Sequence, residues 1–169
     1  LLLVGWTKAE LGGSEYHAHL GLHGGTVPTP DLAKAPGLFA KLHASMKLKQ
    51  VVACHDLSEG GLAVALAEMC MAGGLGADVD LAVIDHAAFP ASYDVDATLL
   101  FSESCSRFLV EIDPGKKYNF QTKMMGIPCI PIGRVSGGTR VKVKGVDGRQ
   151  VIDVSIAEAH AAFHGGFQG

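Results

Sequence analysis

The apolar run Val51-Val52-Ala53-Cys54 is followed by His55-Asp56-Leu57-Ser58-Glu59-Gly60-Gly61 and then by an alanine- and leucine-rich segment that continues to Ala72. This order constrains the chain more than any other feature. The apolar run reads as a buried strand and the later segment as a helix, joined by an acid, a hydroxyl and two glycines. Glycines at such a junction allow close approach to the backbone, and the first helical turn presents unpaired N–H donors and a positive dipole end. These are the ingredients of an anion site, most commonly for phosphate. The same residues are compatible with a plain structural role, with Asp56 or Ser58 as helix cap and Gly60-Gly61 permitting close packing.

Composition limits the alternatives. A chain of 169 residues that is 48% hydrophobic and 18% charged is long enough for one well-buried domain and short for two. Its net charge of −3, from 14 Lys and Arg against 17 Asp and Glu, argues against nucleic-acid binding, as does the lack of any basic run. No apolar stretch approaches a membrane span, and Leu1-Leu2-Leu3-Val4 is too short for a signal sequence. Cys54, Cys70, Cys105 and Cys129 form no CxxC pair, which fits a reducing cytoplasm better than a disulfide framework. The first residues, without Met, already read as a core strand, so the chain is expected to be part of a longer polypeptide.

Periodicity predicts a strand over 1–5 and a short helix capped by Ser14 that reaches 20–22 and closes at Gly24-Gly25. A second helix opens at Asp31 or Pro36 with Leu38, Phe39, Leu42 and Met46 on one face. The helix over 61–72 has almost no polar face and is expected to be covered on both sides. A strand over 78–84 follows, then a hairpin of 98–101 with 107–112 whose tip is 102–106, and a short helix between Pro114 and Gly126. From Ile130 the pattern predicts a three-strand meander, and Ser155-Ile156-Ala157-Glu158 is a capping box opening the last helix. Together these give a single domain over 1–169 of the α+β class, a mixed sheet flanked by helices.

Three polar clusters fall at the ends of predicted strands, where ligands of open sheets gather. They are Gly12-Gly13-Ser14-Glu15, the junction at Asp56 to Gly61, and Ser102 to Arg107. Arg107 is suited to clamp a phosphate or carboxylate at two points, and Glu103 to accept from a ligand N–H or hydroxyl. A polar hairpin tip held by an internal Glu–Arg contact is the competing explanation of the third cluster. His17, His19 and His23 lack an acid or cysteine spaced to complete a zinc set, and His160 and His164 read as a solvated helix face. No nucleophile triad, Walker A or GxGxxG pattern is present.

Taken together, Leu11-Gly12-Gly13-Ser14-Glu15-Tyr16, His55-Asp56-Leu57-Ser58-Glu59-Gly60-Gly61-Leu62-Ala63 and Phe101-Ser102-Glu103-Ser104-Cys105-Ser106-Arg107-Phe108 resemble the phosphoribosylformylglycinamidine synthase (PurL) family, and Gly133-Arg134-Val135 looks like its closing strand. That family belongs with aminoimidazole ribonucleotide synthetase, thiamine monophosphate kinase, selenophosphate synthetase and a hydrogenase maturation factor. Its members pair an N-terminal ATP-binding domain with a C-terminal α/β domain, and the synthase contains the pair twice. The resemblance implies an AIR synthase (PurM) C-terminal-domain-like fold, and the middle motif suits the second copy. It also implies an ATP- and Mg-dependent amidoligase acting on a ribonucleotide. Ammonia would come from a glutaminase domain or subunit, and the isolated fragment would be inactive. Further expected partners are the remaining domains of the same polypeptide. Asp56, Ser58, Gly60, Gly61, Gly12, Gly13, Ser14, Glu103, Ser104 and Arg107 become candidates for binding phosphate or nucleotide; no catalytic residue and no metal site is assigned. Two alternatives stay open: a non-catalytic scaffold half with a structural nucleotide, and a domain of another superfamily member. Trp6 stands where the family would place an acidic or small residue.

Overall fold

A computed structural model describes residues 1–165. Its strands form two four-stranded sheets, not the single one expected. In the first, β2 (Val51–Asp56), β4 (Phe108–Ile112), β1 (Leu2–Val4) and β5 (Cys129–Pro131) lie side by side, all antiparallel. Alternation along the strands buries both faces of this sheet. Leu2, Val4 and Val110 point to one core with Leu38 and Leu42 of α2 (Ala35–Lys47) and Phe120 of α5 (Lys117–Lys123). Leu3 and Leu109 point the other way, to Leu62 and Leu66 of α3 (Gly61–Gly73) and Leu99 and Leu100 of α4 (Val95–Phe101). Burial on both sides explains why these strands read as continuous apolar runs.

The second sheet has the order β6 (Gly133–Ser136), β3 (Gly76–Asp80), β7 (Arg140–Lys144), β8 (Gln150–Ser155). Here the predicted meander holds for β7 and β8, which pair antiparallel, and fails before them. β5 belongs to the first sheet, and β3 inserts between β6 and β7, pairing antiparallel with one and parallel with the other. Register explains the choice: Ala77 and Val79 of β3 sit opposite Val141 and Val143, and all four join the core shared with α3. Adjacency in sequence is outweighed by burial of these side chains.

The hairpin over 98–112 is also corrected. Residues 98–101 belong to α4, whose N-cap Asp94 accepts from the Ala97 N–H at 3.0 Å. Leu99, Leu100 and Phe101 form a short apolar run that periodicity alone assigns to either structure, and the cap decides for the helix. Strand 78–84 is shorter than expected, with a 3-10 turn at Leu81–Val83, and the helix from Pro114 begins as a 3-10 turn. Helix α1 is only Glu15–His19, capped by Ser14 as predicted. In α2 the buried face is Ala35, Leu38, Leu42 and Ser45, leaving Phe39 and Met46 exposed. Val64 of α3 is exposed, so that helix is covered on one broad face and not all round. Helix α6 (Ile156–Gly165) opens with the expected capping box, Ser155 and Glu158 exchanging bonds of 2.7 and 3.1 Å.

Candidate functional site

The antiparallel order of the first sheet brings the end of β1, the end of β2 and the start of β4 to one edge, with Val4 opposite Phe108 and Phe108 opposite Asp56. The three polar clusters leave from this edge and are joined there by one side chain. Glu103 Oε1 accepts the N–H of Gly60 at 2.9 Å and the N–H of Glu15 at 3.0 Å. Its own N–H donates to the Glu10 carbonyl at 3.3 Å. The three motifs read separately in the sequence are therefore one connected arrangement.

Below Glu103 lies a buried polar layer. Ser102 Oγ donates to the Lys8 carbonyl at 2.7 Å, Ser104 Oγ accepts the Lys8 N–H at 3.1 Å, and the two hydroxyls are 2.9 Å apart. Arg107 is fully buried: Nε donates to the Ser104 carbonyl at 3.1 Å, Nη1 to Thr7 Oγ1 at 3.1 Å, and Nη2 to the Ser102 carbonyl. Its guanidinium thus faces inward and braces the loop from behind, unlike the outward phosphate clamp expected from its position. No direct Glu103–Arg107 ion pair forms either. Burial pulls the Arg107 pKa down to about 10, opposed mainly by Glu10 and then by Cys105 and Glu103. Glu10 is buried too, with Oε1 3.3 Å from Lys8 Nζ and Oε2 without a partner. Sequence reasoning missed Glu10, Lys8 and Thr7, because no spacing distinguishes them from an ordinary loop.

The junction itself is open to solvent. Asp56, Ser58 and Glu59 are exposed, while Leu57 anchors the loop inward and donates its N–H to the Arg107 carbonyl at 2.9 Å. Neither Asp56 nor Ser58 caps α3; the N-cap is Gly60, left-handed at φ +74°, with no side-chain cap bond. A Cβ on Gly61, at φ +60°, would lie 2.5 Å from the Ser102 carbonyl oxygen and 2.8 Å from that of Leu100. The second glycine therefore permits the start of α3 to press on the end of α4, not on a sheet. Gly12 likewise packs on the backbone of Gly25, where a Cβ would come within 2.6 Å of its carbonyl oxygen, whereas Gly13 at φ +74° has open space. Ser14 is buried, donating to the Leu11 carbonyl at 2.7 Å, and Tyr16 stacks on Phe101 at 4.5 Å. Trp6 lies at the rim, with Lys34 Nζ 5.1 Å from its ring centre.

Among the described residues, no group of three or more His, Cys, Asp or Glu is arranged to hold a metal ion. His160 and His164 lie with ring centres 4.4 Å apart, tilted by 54°, on the exposed face of α6. What the edge offers an anion is backbone: the N-terminus of α3, with Ser58 beside it. Burial pushes the thiols of Cys54, Cys70 and Cys129 up to about 11, consistent with packing roles. No described helix is long and apolar enough to cross a membrane.

Known proteins share both sequence and fold with this arrangement. A PurL subunit of phosphoribosylformylglycinamidine synthase from Moorella thermoacetica is 38% identical over 161 residues, covering 94% of this chain and 20% of its own length. The corresponding subunit from Parafrankia sp. is 40% identical over 144 residues, covering 82% of this chain and 17% of its own. This chain thus spans about a fifth of the length of these relatives. Thermotoga maritima PurL, solved in complex with FGAR, superposes with a TM-score of 0.78 at 19% identity, covering 94% of this chain and 27% of that one. Escherichia coli HypE, a hydrogenase maturation protein, superposes at 0.65 and 15% identity, covering 92% and 49%. The profile of the family described as AIR synthase related protein, C-terminal domain, matches residues 1–146, which take in both sheets up to β7 and all three clusters. The chain belongs to the AIR synthase related protein, C-terminal domain family.

Proposed function

We propose that this chain is the C-terminal-type domain of a phosphoribosylformylglycinamidine synthase subunit, from the second of its two domain pairs, and that it works only within the longer polypeptide. The observation that carries the proposal is the Glu103 carboxylate joining the Gly60 and Glu15 amides, which makes one ligand-facing edge of the three motifs that resemble the PurL family, in a chain 38% identical to a PurL subunit over 161 residues. In the proposed reaction the glycinamide carbonyl oxygen of formylglycinamide ribonucleotide attacks the γ-phosphorus of ATP and ADP leaves. Ammonia from a glutaminase domain or subunit then adds to the activated carbon. Phosphate departs with the original glycinamide oxygen, and loss of a proton leaves the amidine, the formyl group being untouched. Thermotoga maritima PurL has been solved with ATP, and a PurLQS assembly from the same organism is known.

Within that scheme this domain supplies fixed dipoles. The start of α3, held by Glu103 and pressed on α4 through Gly61, presents backbone donors that favour negative charge without reorganising. Metal and nucleotide are assigned to the other domains, and no step on this chain is routed through magnesium. The working compartment is the cytoplasm.

The test uses the full-length protein and ribonucleotide carrying oxygen-18 in the glycinamide carbonyl. Label should appear in inorganic phosphate with one ADP per amidine, and residues 1–169 alone should not turn over. Amidine formed with the label outside phosphate would reject the mechanism, and a full-length protein that forms no amidine would reject the assignment. A scaffold reading is favoured by one observation: Arg107 spends three of its donors on the chain itself. Under that reading Asp56→Ala lowers thermal stability more than kcat, and lost turnover with unchanged melting would reject it.

A further inference from the structure

We infer that Glu103 is a positioning residue: its carboxylate sets the start of α3 and the start of α1 relative to one another, and acts on a ligand only through them. The inference rests on the proposed ligand-facing edge and gives one of its acidic side chains a different task from direct contact. A single oxygen, Oε1, accepts both amides, at 2.9 Å from Gly60 and 3.0 Å from Glu15. These residues lie 43 and 88 positions away in the chain, so the carboxylate is a long-range tie and not a local cap. It also stands in for the local cap that α3 lacks. Both bonds are charge-assisted and lie at the positive ends of helix dipoles. The segment they hold is one that needs holding, because Gly60 and Gly61 both adopt positive φ and glycine pairs lose much conformational entropy when fixed. The tie is itself fixed from below: Ser102 and Ser104, on either side of Glu103, are bonded to Lys8, and Glu103 N–H is bonded to Glu10.

Glu103→Gln and Glu103→Ala separate the two roles. Glutamine keeps an oxygen where Oε1 sits and replaces Oε2 with an NH2 group, so it preserves the tie while reversing any bond that a ligand donor makes to Oε2. Alanine removes both. In the full-length protein, hydrogen exchange of peptides spanning residues 13–19 and 57–64 is expected to accelerate together by about tenfold in Glu103→Ala and to return close to the parent in Glu103→Gln. Turnover lost in the alanine variant should be recovered largely by glutamine, with the loss falling mainly on KM. If glutamine is as damaging to turnover as alanine while exchange stays normal, Glu103 touches the ligand and the inference is wrong. Acceleration in only one segment also overturns it. Because exchange is read without turnover, an enzyme that makes no amidine would reject the proposed function and leave this result to stand on its own.

Discussion

Three glycines of the candidate site, each changed to alanine, form a graded test of what holds the edge together. Gly13, Gly60 and Gly61 all lie at positive φ, at +74°, +74° and +60°. Placing an L side chain there costs about 1–2 kcal/mol. They differ in what the new methyl meets. At Gly13 it meets nothing within 4 Å, so conformational strain alone is expected, about 1–2 kcal/mol. At Gly60 it meets a methyl of the exposed Val64 and, at 2.9 Å, its Cβ, so turning that side chain relieves only part of the crowding and an intermediate cost is expected. At Gly61 it meets backbone: the Ser102 carbonyl oxygen at 2.5 Å, that of Leu100 at 2.8 Å and the Phe101 carbonyl carbon at 3.1 Å. That backbone cannot yield without moving Glu103 and Arg107, so overpacking adds about 1–3 kcal/mol. Gly61→Ala is therefore expected to cost about 2–5 kcal/mol in total, lowering the melting temperature by roughly 5–20 °C for a chain of this size. The assay is urea unfolding of the parent and three variants, followed by far-UV circular dichroism and tryptophan fluorescence. The order of loss should be Gly61 greatest, Gly13 least. A Gly61→Ala variant no less stable than Gly13→Ala would refute the reasoning, because it would mean that α3 and α4 do not meet through this glycine.

Other consequences are as direct. Arg107→Met keeps bulk but removes the donors to Ser102, Ser104 and Thr7, leaving buried acceptors unpaired; a loss of about 3–5 kcal/mol is expected in the same assay, and a loss below about 1 kcal/mol would show that Arg107 is not the brace described. The thiols of Cys54, Cys70 and Cys129 are raised from 9.0 to about 11, so their contribution to stability is fully present below pH 9 and is lost as pH climbs from 9 to 11. The urea midpoint should fall more over that interval than in the triple alanine variant. Equal slopes would remove the thiols from the account.

The candidate site was legible in the sequence as composition but not as connection. Gly12, Gly13, Ser14, the Asp56-to-Gly61 junction and Ser102 to Arg107 are marked by residue type, because phosphate sites and helix starts draw on the same small set. Ser14 and the Ser155–Glu158 box were found for the same reason: a cap bonds within three residues, so its signal is local. Arg107 shows the limit. An arginine beside a ligand loop is the same in sequence whether its side chain faces out or in, and only the packing of β4 against β1 and β2 turned it inward. Glu10 and Lys8 gave no signal at all, since their importance comes from lying beneath residues 92 to 96 positions away.

What the sequence determined by itself was the presence of a strand, a glycine-bearing turn and a helix at residues 51–73, the caps at Ser14 and Ser155, and the α+β class. Those properties depend on contacts within one helical turn or on alternation along one strand. What only the tertiary structure decided was the division into two sheets, the helical state of residues 95–101, the insertion of β3 between β6 and β7, and the direction of each polar side chain at the edge. These were settled by burial of side chains far apart in the chain, as when Val79 met Val143 or Glu103 met Gly60. A short apolar run gains nearly the same from either secondary structure, so the choice falls to the partner it buries against. The junction at Asp56 to Gly61 follows the same rule: its sequence made a strand-to-helix turn, and Glu103 gave that turn its shape.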